Sequence, residues 1–223
     1  MPQAQPYQPV LLRLLHGAAA LLIILALITG FWVYNTYDQR WGNLPLPRLG
    51  DIQGIHGTIA LTFLLLFPMF ALYSFRIGYR RLVQTQSINQ LARLGQPIWW
   101  ISLQHCANTL MLLAATFSVI TGRMMKEEWL PAGDVNRAWY IAHLMAWACL
   151  FVSLALHVLM GIKVGGTPLL LSMFNWKRRQ SDTPRFWLQG FQKQHSDALL
   201  KSLEIIVIGG IGLAFVLPLF NLA

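Results

Sequence analysis

The stretch from residue 138 to residue 161, AWYIAHLMAWACLFVSLALHVLMG, decides the fold of this chain. It contains no lysine, arginine, aspartate or glutamate, and about 20 consecutive apolar residues are enough to cross the hydrocarbon core of a bilayer as an α-helix. Two histidines, His143 and His157, lie inside it. The stretch therefore predicts a transmembrane helix that carries two ionisable rings.

Four more apolar runs of similar length accompany it, which predicts five spans near residues 14–34, 53–75, 101–122, 138–161 and 203–221. Only 11% of the 223 residues are charged, whereas roughly a quarter are charged in soluble domains. Pro68 falls within the second span, where we expect it to kink the helix or to be tolerated by neighbouring packing. The fold class predicted is an all-α integral membrane protein.

The basic residues of the loops predict how the chain is oriented, because positive residues are retained on the cytoplasmic side. The loops after the second and fourth spans are strongly basic, whereas the other two balance bases against acids. The sequence thus predicts a cytoplasmic N-terminus and a C-terminus outside. Since the net charge of +9 sits in short loops, we expect membrane lipid, and not nucleic acid, as the partner.

The loop from about residue 167 to residue 201 interleaves aromatic and basic side chains. This pattern favours contact with anionic lipid headgroups, and a docking surface for a partner protein is the alternative. We expect three segments: a four-helix core over 1–165, a basic-aromatic cytoplasmic loop over 166–202 and an additional transmembrane helix over 203–223. His195, in this loop, is interpreted as solvated.

The two histidines of the fourth span lie on one face of the helix. They are 14 residues apart, which is close to four full turns and a rise of about 21 Å. One helix thus presents a ring near each membrane surface. Ionisable side chains inside a membrane are costly and mark functional sites by default.

Two other histidines match these rings in depth. Given the predicted orientation, His56 begins the second span at the level of His143, and His16 begins the first span at the level of His157. Two neutral imidazoles are suitable axial ligands for a haem b buried in lipid. The sequence predicts two haems b, held by His56 with His143 and by His16 with His157, which makes the core a di-haem four-helix bundle.

Two further residues are candidate cofactor neighbours. His105, at the inner end of the third span, is interpreted as a neighbour of a haem propionate or of a quinone, or as an interfacial side chain. Arg13, one turn before His16, can pair with a propionate or serve only as the inside charge.

One histidine in the first span, one in the second and two spaced by 14 in the fourth resemble the bacterial cytochrome b561 superfamily. This superfamily includes the cytochrome b subunits of nickel-iron hydrogenases and of respiratory formate dehydrogenases. The resemblance covers about residues 10–165 and implies that the four histidines ligate two haems b. It also implies electron transfer between a donor or redox partner subunit and a quinone, as the electron-transfer subunit of a quinone-linked oxidoreductase.

The cytochrome b of quinol-oxidising complexes is similar but places two histidines on each of two helices. Here the positions 14 after His16 and His56 are Gly30 and Phe70, so that pattern is not met. Two other classes of function stay open on the residues alone: a transporter that relays protons or a metal without haem, and a structural anchor subunit. The bacterial plasma membrane is the expected location, with a thylakoid as the alternative in a phototroph.

Overall fold

The computed structural model describes residues 7–175, 177, 179, 182–192 and 196–220, apart from the side chain of Phe186. Their helices are α1 (Val10–Tyr37), α2 (Ile52–Arg76), a 3-10 helix (Tyr79–Arg81), α3 (Thr85–Gln90), α4 (Pro97–Arg123), α5 (Ala138–Ser172), α6 (Pro184–Phe191) and α7 (Ala198–Phe220). Five of them, α1, α2, α4, α5 and α7, are long and apolar enough to cross a membrane. The predicted fold class, a helical membrane bundle with five spans, is confirmed.

The helices extend beyond the predicted spans for local reasons. The α2 helix begins one residue early because the Asp51 carboxylate accepts a hydrogen bond from the backbone N–H of Gly54 at 3.1 Å, which caps the first turn. The α4 helix begins at Pro97, whose missing N–H costs nothing at the first helical position. The α2 helix runs unbroken through Pro68, so this proline is tolerated.

The first part of the predicted cytoplasmic loop is helical. The α5 helix continues to Ser172 but is kinked at Gly166, whose φ of 63° is a left-handed conformation that glycine adopts easily. The chain therefore changes direction where the basic-aromatic segment was expected to begin. His195 and Trp176 of that segment lie outside the described residues.

The bundle is built from two helix pairs, α1 with α2 and α4 with α5, and α7 packs against both α2 and α4. On α7, Val207, Ile211 and Ala214 are buried in the main apolar cluster. Gly210 lies directly against the Thr116 side chain of α4. The fifth helix thus closes the side of the bundle where α2 and α4 meet.

The loops at each end of the bundle contact one another. At the end that carries residues 38–51 and 124–137, which we call the C-terminal face, Tyr140 donates to Asp38 at 2.9 Å and Gln53 donates to the Glu127 carbonyl at 2.9 Å. At the opposite end, the N-terminal face, Arg81 donates to the Gln8 side chain at 2.6 Å. These contacts fix the helix ends between which the histidines lie.

Candidate functional site

His56 and His143 face each other across the bundle near the C-terminal face. His56 lies in the second turn of α2 and His143 in the second turn of α5. Their ring centres are 6.1 Å apart and their planes are inclined by 68°. The structure therefore brings together the two residues that the sequence analysis paired at this level, and we call them the 56/143 pair.

The His56 ring is held by α1. Its Nδ1 lies 3.0 Å from the hydroxyl oxygen of Thr29, and that hydroxyl also lies 2.7 Å from the Leu25 carbonyl oxygen. A methyl group added at Gly30 would lie 3.1 Å from Cε1 of His56 and would therefore crowd the ring. Thr29 and Gly30 thus form one contact surface for the ring.

The His143 ring is held by α4 in the same way. Its Nδ1 lies 3.0 Å from the Thr121 hydroxyl oxygen, which is also 2.8 Å from the Phe117 carbonyl oxygen. A methyl group added at Gly122 would lie 3.1 Å from Cε1 of His143. The two rings therefore have equivalent supports on two different helices.

A cavity of about 1230 Å³ surrounds the 56/143 pair and opens toward the C-terminal face. Its deeper wall is apolar and includes Phe63 and Leu150. Near the loops the cavity is lined by two bases and two acids, Arg123, Lys126, Asp51 and Glu127. Cofactor sites are typically apolar concavities with a few polar groups that fix orientation. This cavity suits a flat apolar ring whose polar edge faces the loops.

His16 and His157 form a second pair toward the N-terminal face, which we call the 16/157 pair. Their ring centres are 5.9 Å apart and their planes are inclined by 39°. Nδ1 of His157 lies 2.7 Å from the side-chain oxygen of Asn108 on α4. Phe70 of α2 packs against His16 in a T-shaped arrangement, with ring centres 6.3 Å apart. The second predicted pair is therefore also brought together.

Both separations fit two axial imidazoles on one iron. A metal–imidazole bond is about 2 Å long and the ring centre lies about 1 Å beyond the nitrogen, so the two ring centres should be about 6 Å apart. The donor set fits as well, because each pair supplies two imidazoles and a porphyrin supplies the other ligands. The described residues contain no group of three or more histidine, cysteine, aspartate or glutamate side chains that could hold a bare metal ion.

The hydrogen bonds of Arg13 and His105 are made with residues other than the four paired histidines. One guanidinium nitrogen of Arg13 donates to the Lys177 carbonyl at 2.7 Å, and the other is buried with no hydrogen-bond partner among the described residues. Nδ1 of His105 lies 3.3 Å from the Ser87 hydroxyl on α3. Within the described part of the chain, His105 makes no ring contact with another histidine.

Sequence reasoning missed the residues that support the rings, namely Thr29, Gly30, Asn108, Thr121 and Gly122. A signal for four of them was present, because the tripeptide Ile-Thr-Gly occurs at residues 28–30 and again at 120–122. Three residues are too short a repeat to stand out among apolar helices. The sequence does not give the rotation of α1 and α4 about their axes, which decides which of their residues face the histidine rings.

A bundle of membrane-length helices that holds two imidazole pairs at two depths has the architecture of a membrane-bound cytochrome of b type. The family model of prokaryotic cytochrome b561 matches residues 7–176, and the chain belongs to that family. Membership makes it a membrane protein that binds haem b and transfers electrons. No curated protein and no solved structure matches the chain.

Proposed function

We propose that the chain carries two haems b and transfers electrons across the membrane between a redox partner on one face and a quinone near the other. The 16/157 pair and the 56/143 pair would each supply both axial ligands of one haem. The observation that carries this proposal is the separation of about 6 Å in both pairs, whose α5 members stand 14 residues apart. A haem supplies an iron that gains and loses one electron.

The protein's own residues have three tasks in this function. The paired imidazoles would hold the iron from both sides, which would keep oxygen away from it. The apolar helices exclude water and keep the site low in charge. Basic side chains near the ends of the bundle then compensate the carboxylates of the cofactor, since a carboxylate in a poorly solvated site needs a charged partner.

Basic side chains that could compensate these carboxylates lie near both histidine pairs. Arg123 and Lys126 line the cavity around the 56/143 pair. Toward the N-terminal face, the Arg81 carbonyl accepts from Asn108, whose side chain contacts His157. Arg13 keeps one buried nitrogen without a partner among the described residues. We therefore assign Arg13 to a propionate of the 16/157 haem.

The quinone and the orientation complete the proposal. We place the chain in a bacterial plasma membrane, or in a thylakoid if the source is phototrophic, with the N-terminal face in the cytoplasm, because the loops after the second and fourth spans are the basic ones. His105 then lies near the cytoplasmic surface as a neighbour of a quinone. Residues 1–165 form the di-haem core, 166–202 the cytoplasmic surface and 203–223 an additional span.

Single histidine variants test the ligand assignment. We expect His143→Ala and His56→Ala to lose one haem, His16→Ala and His157→Ala to lose the other, and His105→Ala to keep both. Pyridine-haemochrome assays on purified protein measure the haem per chain, and redox titration shows which of two potentials disappears. Loss of the same haem on replacing His143 and His157 would contradict the pairing. A colourless wild-type protein from haem-replete cells would instead favour an anchor or a transporter.

A further inference from the structure

Three polar side chains contact the histidine rings at Nδ1. Thr29 contacts Nδ1 of His56, Thr121 contacts Nδ1 of His143, and Asn108 contacts Nδ1 of His157, at 3.0, 3.0 and 2.7 Å. In each ring the contacted atom is Nδ1. This leaves Nε2 of each ring for another partner.

The two threonines can only accept a hydrogen bond from the ring. A hydroxyl group has one hydrogen, and each threonine donates it to the backbone carbonyl four residues earlier, of Leu25 at 2.7 Å and of Phe117 at 2.8 Å. The proton shared between threonine and histidine must therefore belong to Nδ1. The threonines thereby select the tautomer in which Nε2 carries the free lone pair.

Asn108 selects the same tautomer at the other level. Its amide nitrogen donates to the Arg81 carbonyl at 2.8 Å, which fixes the direction of the amide and turns the oxygen toward His157. An amide oxygen only accepts hydrogen bonds. Nδ1 of His157 must therefore be the donor, and Nε2 is again free.

The Ile-Thr-Gly tripeptides position the rings of His56 and His143. In each of them the threonine holds Nδ1 and the following glycine leaves room for Cε1, so a ring seats against α1 and another against α4. Larger residues at positions 30 and 122 would push the ring away from the threonine hydroxyl. The hydrogen bond to the threonine therefore depends on the glycine that follows it.

We propose that Thr29, Thr121 and Asn108 are positioning residues that hold the ligand histidines in the Nδ1–H tautomer and set the midpoint potential of each haem separately. The inference rests on the proposed function. A hydrogen bond from Nδ1–H raises the basicity of the ligating nitrogen and favours the ferric iron, so its loss raises the potential. The threonines act on the 56/143 haem and the asparagine on the 16/157 haem.

The test compares near-isosteric variants that lack the acceptor with variants that keep one. Thr121→Val and Thr29→Val should raise the potential of one haem and leave the other unchanged, and Thr121→Ser should restore the wild-type value. Asn108→Leu should raise the potential of the second haem. Asn108→Asp keeps an acceptor and adds negative charge, so it should lower that potential.

Thr116→Val is the matched control. Thr116 is a buried threonine of α4 whose hydroxyl donates to the Leu112 carbonyl at 2.8 Å, and its side chain faces α7. Both potentials should stay at their wild-type values. This variant separates loss of a hydroxyl in α4 from loss of a hydroxyl at a histidine.

The measurements are the haem content and an optical redox titration of each purified variant. Loss of only the 56/143 haem in Thr121→Val, with retention in Thr121→Ser, would support the inference and show that the hydrogen bond is needed to hold the haem as well as to set its potential. A wild-type protein with two haems whose potentials do not move in the valine and leucine variants would overturn the inference and leave the proposed function standing. A wild-type protein without haem would overturn both.

Discussion

At the scale of single residues, the histidine supports differ between the two levels. The 56/143 pair rests on two threonines and two glycines, whereas His157 rests on an asparagine and His16 packs against Phe70. Neither a threonine nor an asparagine adds charge beside the rings. The chain thus places a different hydrogen-bond acceptor beside the histidines at each level.

Gly122→Ala should displace the His143 ring. The added methyl group would lie 3.1 Å from Cε1, and the ring cannot retreat without stretching its hydrogen bond to Thr121. Overpacking of this kind costs about 1–3 kcal/mol. We expect the variant to bind the 56/143 haem more weakly and to keep the other, as measured by the haem content after purification.

Gly212→Ala is the control for this prediction, since a methyl group at Gly212 meets no atom within 4 Å. It should retain both haems. A Gly122→Ala protein with full haem content and unchanged potentials would show that the ring has more freedom than its contacts indicate.

At the scale of helices, α1, α2, α4 and α5 each place one residue at each histidine level, 14 positions apart. These residues are 16 and 30 on α1, 56 and 70 on α2, 108 and 122 on α4, and 143 and 157 on α5. Only α5 has a histidine at both levels. This spacing explains why Gly30 and Phe70, which exclude the pattern of the quinol-oxidising cytochromes, lie against the histidines of their neighbours.

The sequence was sufficient for the spans, and the histidines that it placed at equal depths lie with their ring centres about 6 Å apart. Helix length follows from long apolar runs, and depth follows from position within a run, as His143 and His157 show. The supports at Thr29, Thr121 and Asn108 could not be predicted, because nearly uniform apolar helices do not reveal which face packs inward. The predicted span ended at residue 161, whereas the chain stays helical to Ser172 with a kink at Gly166. Apolar length does not reveal such a continuation, because the residues beyond the membrane need not be apolar.

Gly210→Leu should loosen α7 from α4. The glycine lies against the Thr116 and Ile120 side chains, so a larger residue cannot be accommodated without moving one helix. We expect a loss of stability of about 1–3 kcal/mol, seen as a lower midpoint for the thermal loss of haem absorbance in detergent.

The neighbouring Gly209→Leu provides the comparison, because a methyl group at Gly209 meets no atom within 4 Å. It should unfold at the wild-type temperature. Equal midpoints for the two variants would mean that the contact between α7 and α4 contributes nothing to the stability of the bundle.

At the scale of the whole molecule, the proposed orientation makes a prediction for labelling. In a protein whose own Cys106 and Cys149 are replaced by serine, Asn43→Cys should react with a membrane-impermeant maleimide in intact cells. Leu94→Cys should react only after the cells are made permeable. Both positions lie in exposed loops on opposite faces of the bundle. The reverse result would place the N-terminal face outside.

The central claim is that this chain of the prokaryotic cytochrome b561 family holds two haems b, one between each histidine pair. The ratio of haem to polypeptide in the purified wild-type protein, determined as pyridine haemochrome against amino-acid analysis, tests it most directly. We predict two haems per chain. One haem per chain would show that one of the two pairs is not a ligand pair, and would contradict the account.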